Sequence, residues 1–153
     1  MKDDIGTSGY IIYDTEIKEP IIIGYLAKRQ TDASASSTRQ KLRAQLAVWF
    51  WLCHFSKIFG EPRFTIEVVL VTDSEASMTI IEILKQKHGL KDVLRPDTDI
   101  ALAMQHTRDT LPWIKLRTNK VKSHIAVEEA SNEFYWEAND LADKLATEAR
   151  AKV

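Results

Sequence analysis

A change of period in the middle of the chain does most to limit its fold. Residues 64–72 read FTIEVVLVT, a β-branched and apolar run suited to a largely buried strand. Asp73-Ser74 closes the run, and a helical pattern follows directly over 74–88 until Gly89 stops it. A strand that feeds straight into a helix does not return as a tight hairpin. The chain crosses over and pairs in parallel with another strand, so at least part of the sheet is expected to be parallel. In open α/β sheets, reactive groups gather beyond the carboxyl ends of strands, and Asp73 occupies such a position.

The flanking segments extend this pattern. SGYIIYD (8–14) and PIIIGYLAK (20–28) lie either side of a polar connection and predict a hairpin. RQTDASASS (29–37) is a loop that ends in helix-capping residues, and a long helix is expected over 38–59, ended by Gly60 and Pro62. Leu42, Leu46, Trp49 and Cys53 form one apolar stripe along it. On the next helix Met78, Ile81 and Leu84 share a face. A shorter helix over 97–110 begins after Pro96, with Asp97 or Thr98 as its cap, and ends before Pro112. Residues 113–124 contain another strand. The last helix spans 131–152, with Ala138, Leu141, Ala142, Leu145 and Ala149 at helical spacing. The expected order is β-β-α-β-α-α-β-α in a single domain over 1–153, with no internal repeat.

Bulk properties exclude several classes. Apolar residues make up 44% and charged residues 28%, an ordinary balance for a soluble globular protein. The formal net charge of −1 provides no global basic field, so nucleic-acid binding needs a local patch. Lys115, Arg117, Lys120 and Lys122 offer one, although the same residues suit a solvated strand and turn. Cys53 is the single cysteine, which rules out an intrachain disulfide, and its apolar neighbours mark it as a buried small hydrophobe. No paired Cys or His zinc spacing occurs. The opening Met1-Lys2-Asp3-Asp4 is too polar and acidic for a signal peptide, and the apolar run 46–53 is too short to span a bilayer. The expectation is a soluble, intracellular protein with no membrane partner.

Five segments then bring chemistry-bearing residues into order. Ser36-Ser37-Thr38-Arg39 opens the first helix. Val71-Thr72-Asp73-Ser74 ends the buried strand. Leu94-Arg95-Pro96-Asp97-Thr98-Asp99 precedes the penultimate helix. Val121-Lys122-Ser123-His124 is followed by the helical Asn139-Asp140-Leu141-Ala142-Asp143-Lys144-Leu145-Ala146. Together they resemble ribonuclease H-type domains, more closely those of reverse-transcriptase mobile elements, over nearly the whole chain. The implied fold is an α/β, ribonuclease H-like mixed sheet flanked by helices. The implied chemistry is two-metal cleavage of the RNA strand of an RNA–DNA hybrid, with Mg²⁺ or Mn²⁺ held by clustered carboxylates. The ribose 2′-hydroxyls distinguish that strand from DNA. By resemblance Asp73 and Asp143 are the metal ligands, and His124 is the loop histidine that assists proton transfer or product release. Asn139 orders the site or touches substrate, and Lys120 and Lys122 approach the nucleic acid. Each has a plainer alternative: Asp73 as the cap of the following helix, Asp143 as a solvated helix acid, His124 as an ordinary loop histidine.

The chain departs from that pattern in three places. Ser123 replaces the Gly of the family's V-K-G-H loop. Lys41 stands where the family's first helix carries a metal-binding Glu, and no acid occurs between Asp32 and Glu61. A cation in that place repels a divalent ion by several kcal/mol at contact distance. The third departure is at the start. The family's first strand ends in an essential Asp, yet here the GYIIY run arrives at once, so that strand is expected to be missing or shortened, as in a truncated reading frame or a piece of a larger reverse-transcriptase polypeptide. Asp4, and after it Asp3, are the available stand-ins. The expected function is therefore an RNase H-type, nucleic-acid-binding pseudoenzyme. The alternatives are an active metal-dependent hybrid endoribonuclease and, further off, a transposase or integrase core.

Overall fold

A computed structural model describes residues 5–29, 37–85, 97–122 and 125–152. Within them the chain is a mixed α/β protein. Strands β1 (Ile5–Asp14) and β2 (Glu19–Arg29) form the expected antiparallel hairpin, with β1 beginning earlier and β2 running longer at both ends than the sequence pattern indicated. Its turn needs a left-handed residue, which Lys18 supplies at φ 54°, and Lys18 donates its backbone N–H to the Asp14 carbonyl at 2.8 Å.

Helix α1 (Ser37–Phe59) follows. It stops where Gly60 takes φ +79° and donates its N–H to the Ser56 carbonyl at 2.9 Å. Strand β3 (Ile66–Thr72) passes into helix α2 (Glu75–Lys85). Helix α3 (Thr98–Asp109) leads to strand β4 (Ile114–Lys120), and after a 3₁₀ turn at Val127–Glu129 the chain ends in helix α4 (Glu133–Lys152). The parallel crossover is present: β3 pairs with β4 in parallel, Ile66 opposite Ile114 through Thr72 opposite Lys120.

The sheet itself differs from expectation. Among the described residues it is two separate two-stranded pieces, β1–β2 and β3–β4. Among the described residues no strand pairs with both β1 and β3.

Helices hold the two pieces together. The stripe Leu42, Leu46, Trp49 and Cys53 on α1 meets Ile100 and Met104 of α3, Leu111 ahead of β4, Ile114 at its start, and Val68 of β3 in one apolar cluster. Leu42 is fully buried at its centre. Helix α2 presents Ser77 and Ile80 to the interior; Met78 is half-buried, and the side chains of Ile81 and Leu84 lie outside the described set. Helix α1 also reaches the hairpin, where Trp51 Nε1 donates to the Tyr10 hydroxyl at 3.0 Å. Helix α4 covers the other face of the hairpin. A Cβ on Gly9 would meet the Ala142 carbonyl oxygen and come within 2.9 Å of Leu145 Cβ, so only glycine lets α4 lie this close to β1. Among the described residues no helix is long and apolar enough to cross a membrane.

Candidate functional site

Asp73 follows the last residue of β3, as the strand-to-helix pattern requires. The first issue is whether it merely caps α2. Ser74 does that work: its Oγ accepts the Ser77 backbone N–H at 3.2 Å, and the Ser77 hydroxyl donates to the Ser74 carbonyl at 3.0 Å. Thr72 Oγ1 accepts the Ser74 N–H at 3.1 Å and tightens the corner. The Asp73 carboxylate is thus left to face α1, where the Lys41 ammonium forms an ion pair with it. The Asp73 side chain is 7% exposed and that of Lys41 33%, so this pair is largely out of water.

The same stretch of α1 makes a second electrostatic link. Arg39 grips Asp99 through two parallel hydrogen bonds, Nη1 to Oδ1 at 2.9 Å and Nη2 to Oδ2 at 2.8 Å, and reaches Asp97 Oδ1 at 3.2 Å. The hydrogen bond to Asp99 raises the Arg39 pKa; partial burial opposes the rise, and Asp97 adds to it. The same hydrogen bond holds the Asp99 carboxyl below its ordinary value. Asp97 stands at the N-cap position of α3 in a left-handed conformation, φ 67°, and makes no side-chain cap hydrogen bond. Asp97, which the sequence offered beside Thr98 as the cap, bridges to α1 instead. Two motifs recognised separately, Ser36-Ser37-Thr38-Arg39 and Leu94-Arg95-Pro96-Asp97-Thr98-Asp99, are joined here by one guanidinium. Their charges were visible in the sequence; their contact was not.

The remaining candidates are more dispersed. Asp143 is on an exposed side of α4, where its backbone carbonyl accepts the Thr147 hydroxyl at 3.1 Å. Helix α4 packs mainly on β1 and touches β3 only marginally. Asn139 is half-buried on the same helix, and its neighbour Asp140 pairs with Lys144 at 2.8 Å, one turn on. Asp4 and His124 lie outside the described residues.

The basic segment is partly neutralised at home. Lys120 donates to Glu75 at 2.9 Å, and that hydrogen bond holds the Glu75 carboxyl below its ordinary range. Arg117 approaches Glu67 at 3.5 Å across the β3–β4 ladder. Lys115 and Lys122 are exposed.

A divalent metal needs several oxygen ligands of net negative charge. Among the described residues no three His, Cys, Asp or Glu side chains gather closely enough to hold one. Asp73 has an ammonium for its neighbour on α1 where the resemblance calls for a carboxylate. Among the described residues, the donor set around Asp73, with the Lys41 ammonium on its carboxylate, does not suit Mg²⁺. What it can do chemically is hold a balanced charge pair that fixes α1 against the β3–α2 corner.

No protein-family model and no curated protein matches this chain.

Proposed function

We propose that this chain is a ribonuclease H-type domain that binds nucleic acid and has lost metal-dependent cleavage of RNA–DNA hybrids. The observation that carries the reading is the Lys41–Asp73 ion pair. In the family the chain resembles, the helix position of Lys41 supplies a Glu that shares a metal with the strand-end Asp. Here that position supplies a positive charge of its own, and the charge sits on the carboxylate the metal would use. A divalent ion entering the site would have to displace the ammonium and then remain beside it, at a cost of several kcal/mol.

Support for the family half of the reading is the order of elements, with the parallel β3–β4 crossover and the strand-end Asp73. Support for nucleic acid is narrower: exposed Lys115 and Lys122, flanking two basic residues that already have acidic partners. The setting that fits is a reverse-transcriptase polypeptide in which this domain positions a hybrid without cutting it.

The test is a hybrid incubated with the chain in Mg²⁺ or Mn²⁺, with binding measured in parallel across a salt series. The expected outcome is no cleavage, together with binding that weakens as salt rises because Lys–phosphate contacts release counterions. Lys122→Glu and Lys115→Glu each lower the affinity. Hybrid cleavage that disappears in Asp73→Asn would overturn the loss of activity, and no binding at low salt would overturn the nucleic-acid role.

A further inference from the structure

Among the described residues strand β2 has a partner on one side only. Among the described residues β1 pairs along one edge, and the other edge carries no strand. The strand is 11 residues long, and from Ile21 to Ala27 it holds no charged residue. Exposed strand edges are usually blunted by a charge, a proline or a bulge in mid-strand. Here Pro20 lies at the very start, and the one register irregularity of the hairpin lies between Ile12 and Tyr13, close to the turn.

The edge is bordered by apolar surface. Ile21, Ile23 and Tyr25 are 56%, 52% and 46% exposed and alternate along the strand, so they share one face. It is the face that α4 covers only in part: Tyr13 meets Phe134 edge-on, and the Lys152 ammonium sits over the Tyr25 ring. The row therefore lies beyond the rim of α4, next to the open backbone edge.

The strand is also complementary to itself. Glu19 begins it, and Lys28-Arg29 end it. Lay a second copy antiparallel, about a two-fold axis perpendicular to the sheet through Gly24. Residues of the same face then meet: Ile23 opposite Tyr25, Ile21 opposite Ala27, and Glu19 opposite Arg29 at both ends. Shifting the axis to Ile23 puts Glu19 opposite Ala27 and brings Lys18 opposite Lys28, which is repulsive. The Gly24-centred register matches both charge and shape, and its two halves are identical, as an isologous contact requires.

We propose that β2 is a self-association edge: two copies of this chain join their β2 strands antiparallel about Gly24 into a continuous four-stranded sheet. The exposed Ile21–Ile23–Tyr25 rows of the two copies then form a single apolar strip across the junction, shielded by α4 from each side. Nothing in this contact depends on the nuclease ancestry.

Sedimentation equilibrium of the whole chain over roughly a hundredfold concentration range tests it. The expected result is a reversible monomer–dimer equilibrium. Ile23→Lys, at a side chain already half in water, weakens the dimer by about tenfold or more, while far-UV circular dichroism stays that of the parent. Glu19→Lys sets like charges opposite each other twice per dimer and weakens it several-fold. Glu19→Lys combined with Arg29→Glu restores it, which only this register explains. A monomer at every concentration overturns the proposal. So does a dimer indifferent to Ile23→Lys, or a charge-swapped chain that fails to recover. Should Ile23→Lys disturb the fold, the charge swap alone decides.

Discussion

Lys41 and Asp73 share one ion pair but sit in different surroundings, and the difference sets what each substitution does. The carboxylate is nearly enclosed at 7% exposure, whereas a third of the lysine side chain remains in water. Lys41→Met strands a carboxylate that water reaches poorly, and a buried polar group without its partner costs about 1–3 kcal/mol. Asp73→Asn leaves an ammonium that can turn outward and rehydrate, at a cost of about 1 kcal/mol or less. Urea denaturation at neutral pH measures both. The expected order is Lys41→Met clearly below Asp73→Asn in midpoint, and the reverse order would count against an enclosed Asp73. Lys41 was recognisable from sequence as a cation in an acid's place. That it spends its charge on Asp73 was not, because the two residues are 32 positions apart and meet only once α1 packs beside the β3–α2 corner.

Between elements, the Arg39 bridge ties the first turn of α1 to the start of α3. Its pH response follows from the direction of the Asp99 shift. A carboxyl whose pKa is lowered by folding contributes stability above its unfolded pKa and loses it as pH falls through the folded value. Asp99→Asn is therefore destabilising at pH 7, and its difference from the parent chain closes in acid, below the ordinary carboxylate range. Because the Asp99 side chain is 64% exposed, solvent screens the pair, and the expected cost is about 0.5 kcal/mol. Paired urea melts at neutral and acidic pH, with and without added salt, check both the sign and the size. A difference that grows in acid would mean that the bridge is not electrostatic. The helices themselves were legible at this scale. The stop at Gly60 and the apolar stripe of α1 are local signals, and each occurs where its neighbours in sequence indicated, whereas the cap of α2 is Ser74 and not Asp73. Helix α2 was less so. Its face was read as Met78, Ile81 and Leu84, but packing turned Ser77 and Ile80 inward and left Met78 half-buried.

In the whole molecule, α1 is the shared wall. It packs against α3 and the β3–β4 cluster and also reaches the hairpin through Trp51 and Tyr10. Among the described residues the two sheet pieces share no strand, and α1 contributes much of their coupling. Leu42 sits at the centre of the cluster with no exposure, so Leu42→Ala removes packing that joins α1 to α3 and the β3–β4 piece. The expected cost is about 2–5 kcal/mol. Tryptophan fluorescence and far-UV circular dichroism should still give coincident transitions in the parent chain, as expected when one helix joins the core cluster to the hairpin. Two separated transitions would show that the hairpin unfolds independently of the α1–α3 layer.

Short-range physics settled much of this protein before any contact was known. Period-two and period-3.6 patterns, caps and stops depend on neighbours within a few residues, so the hairpin, the helices and the parallel crossover could be read from the chain. The division of the sheet into two pieces could not, since pairing partners lie far apart in sequence and β1 and β3 carry no local mark of which strands they leave unpaired. The site divides in the same way. The residue types of the Asp73 corner were written in the sequence, whereas its charge balance arose only when packing brought an ammonium from α1 onto the carboxylate beyond β3.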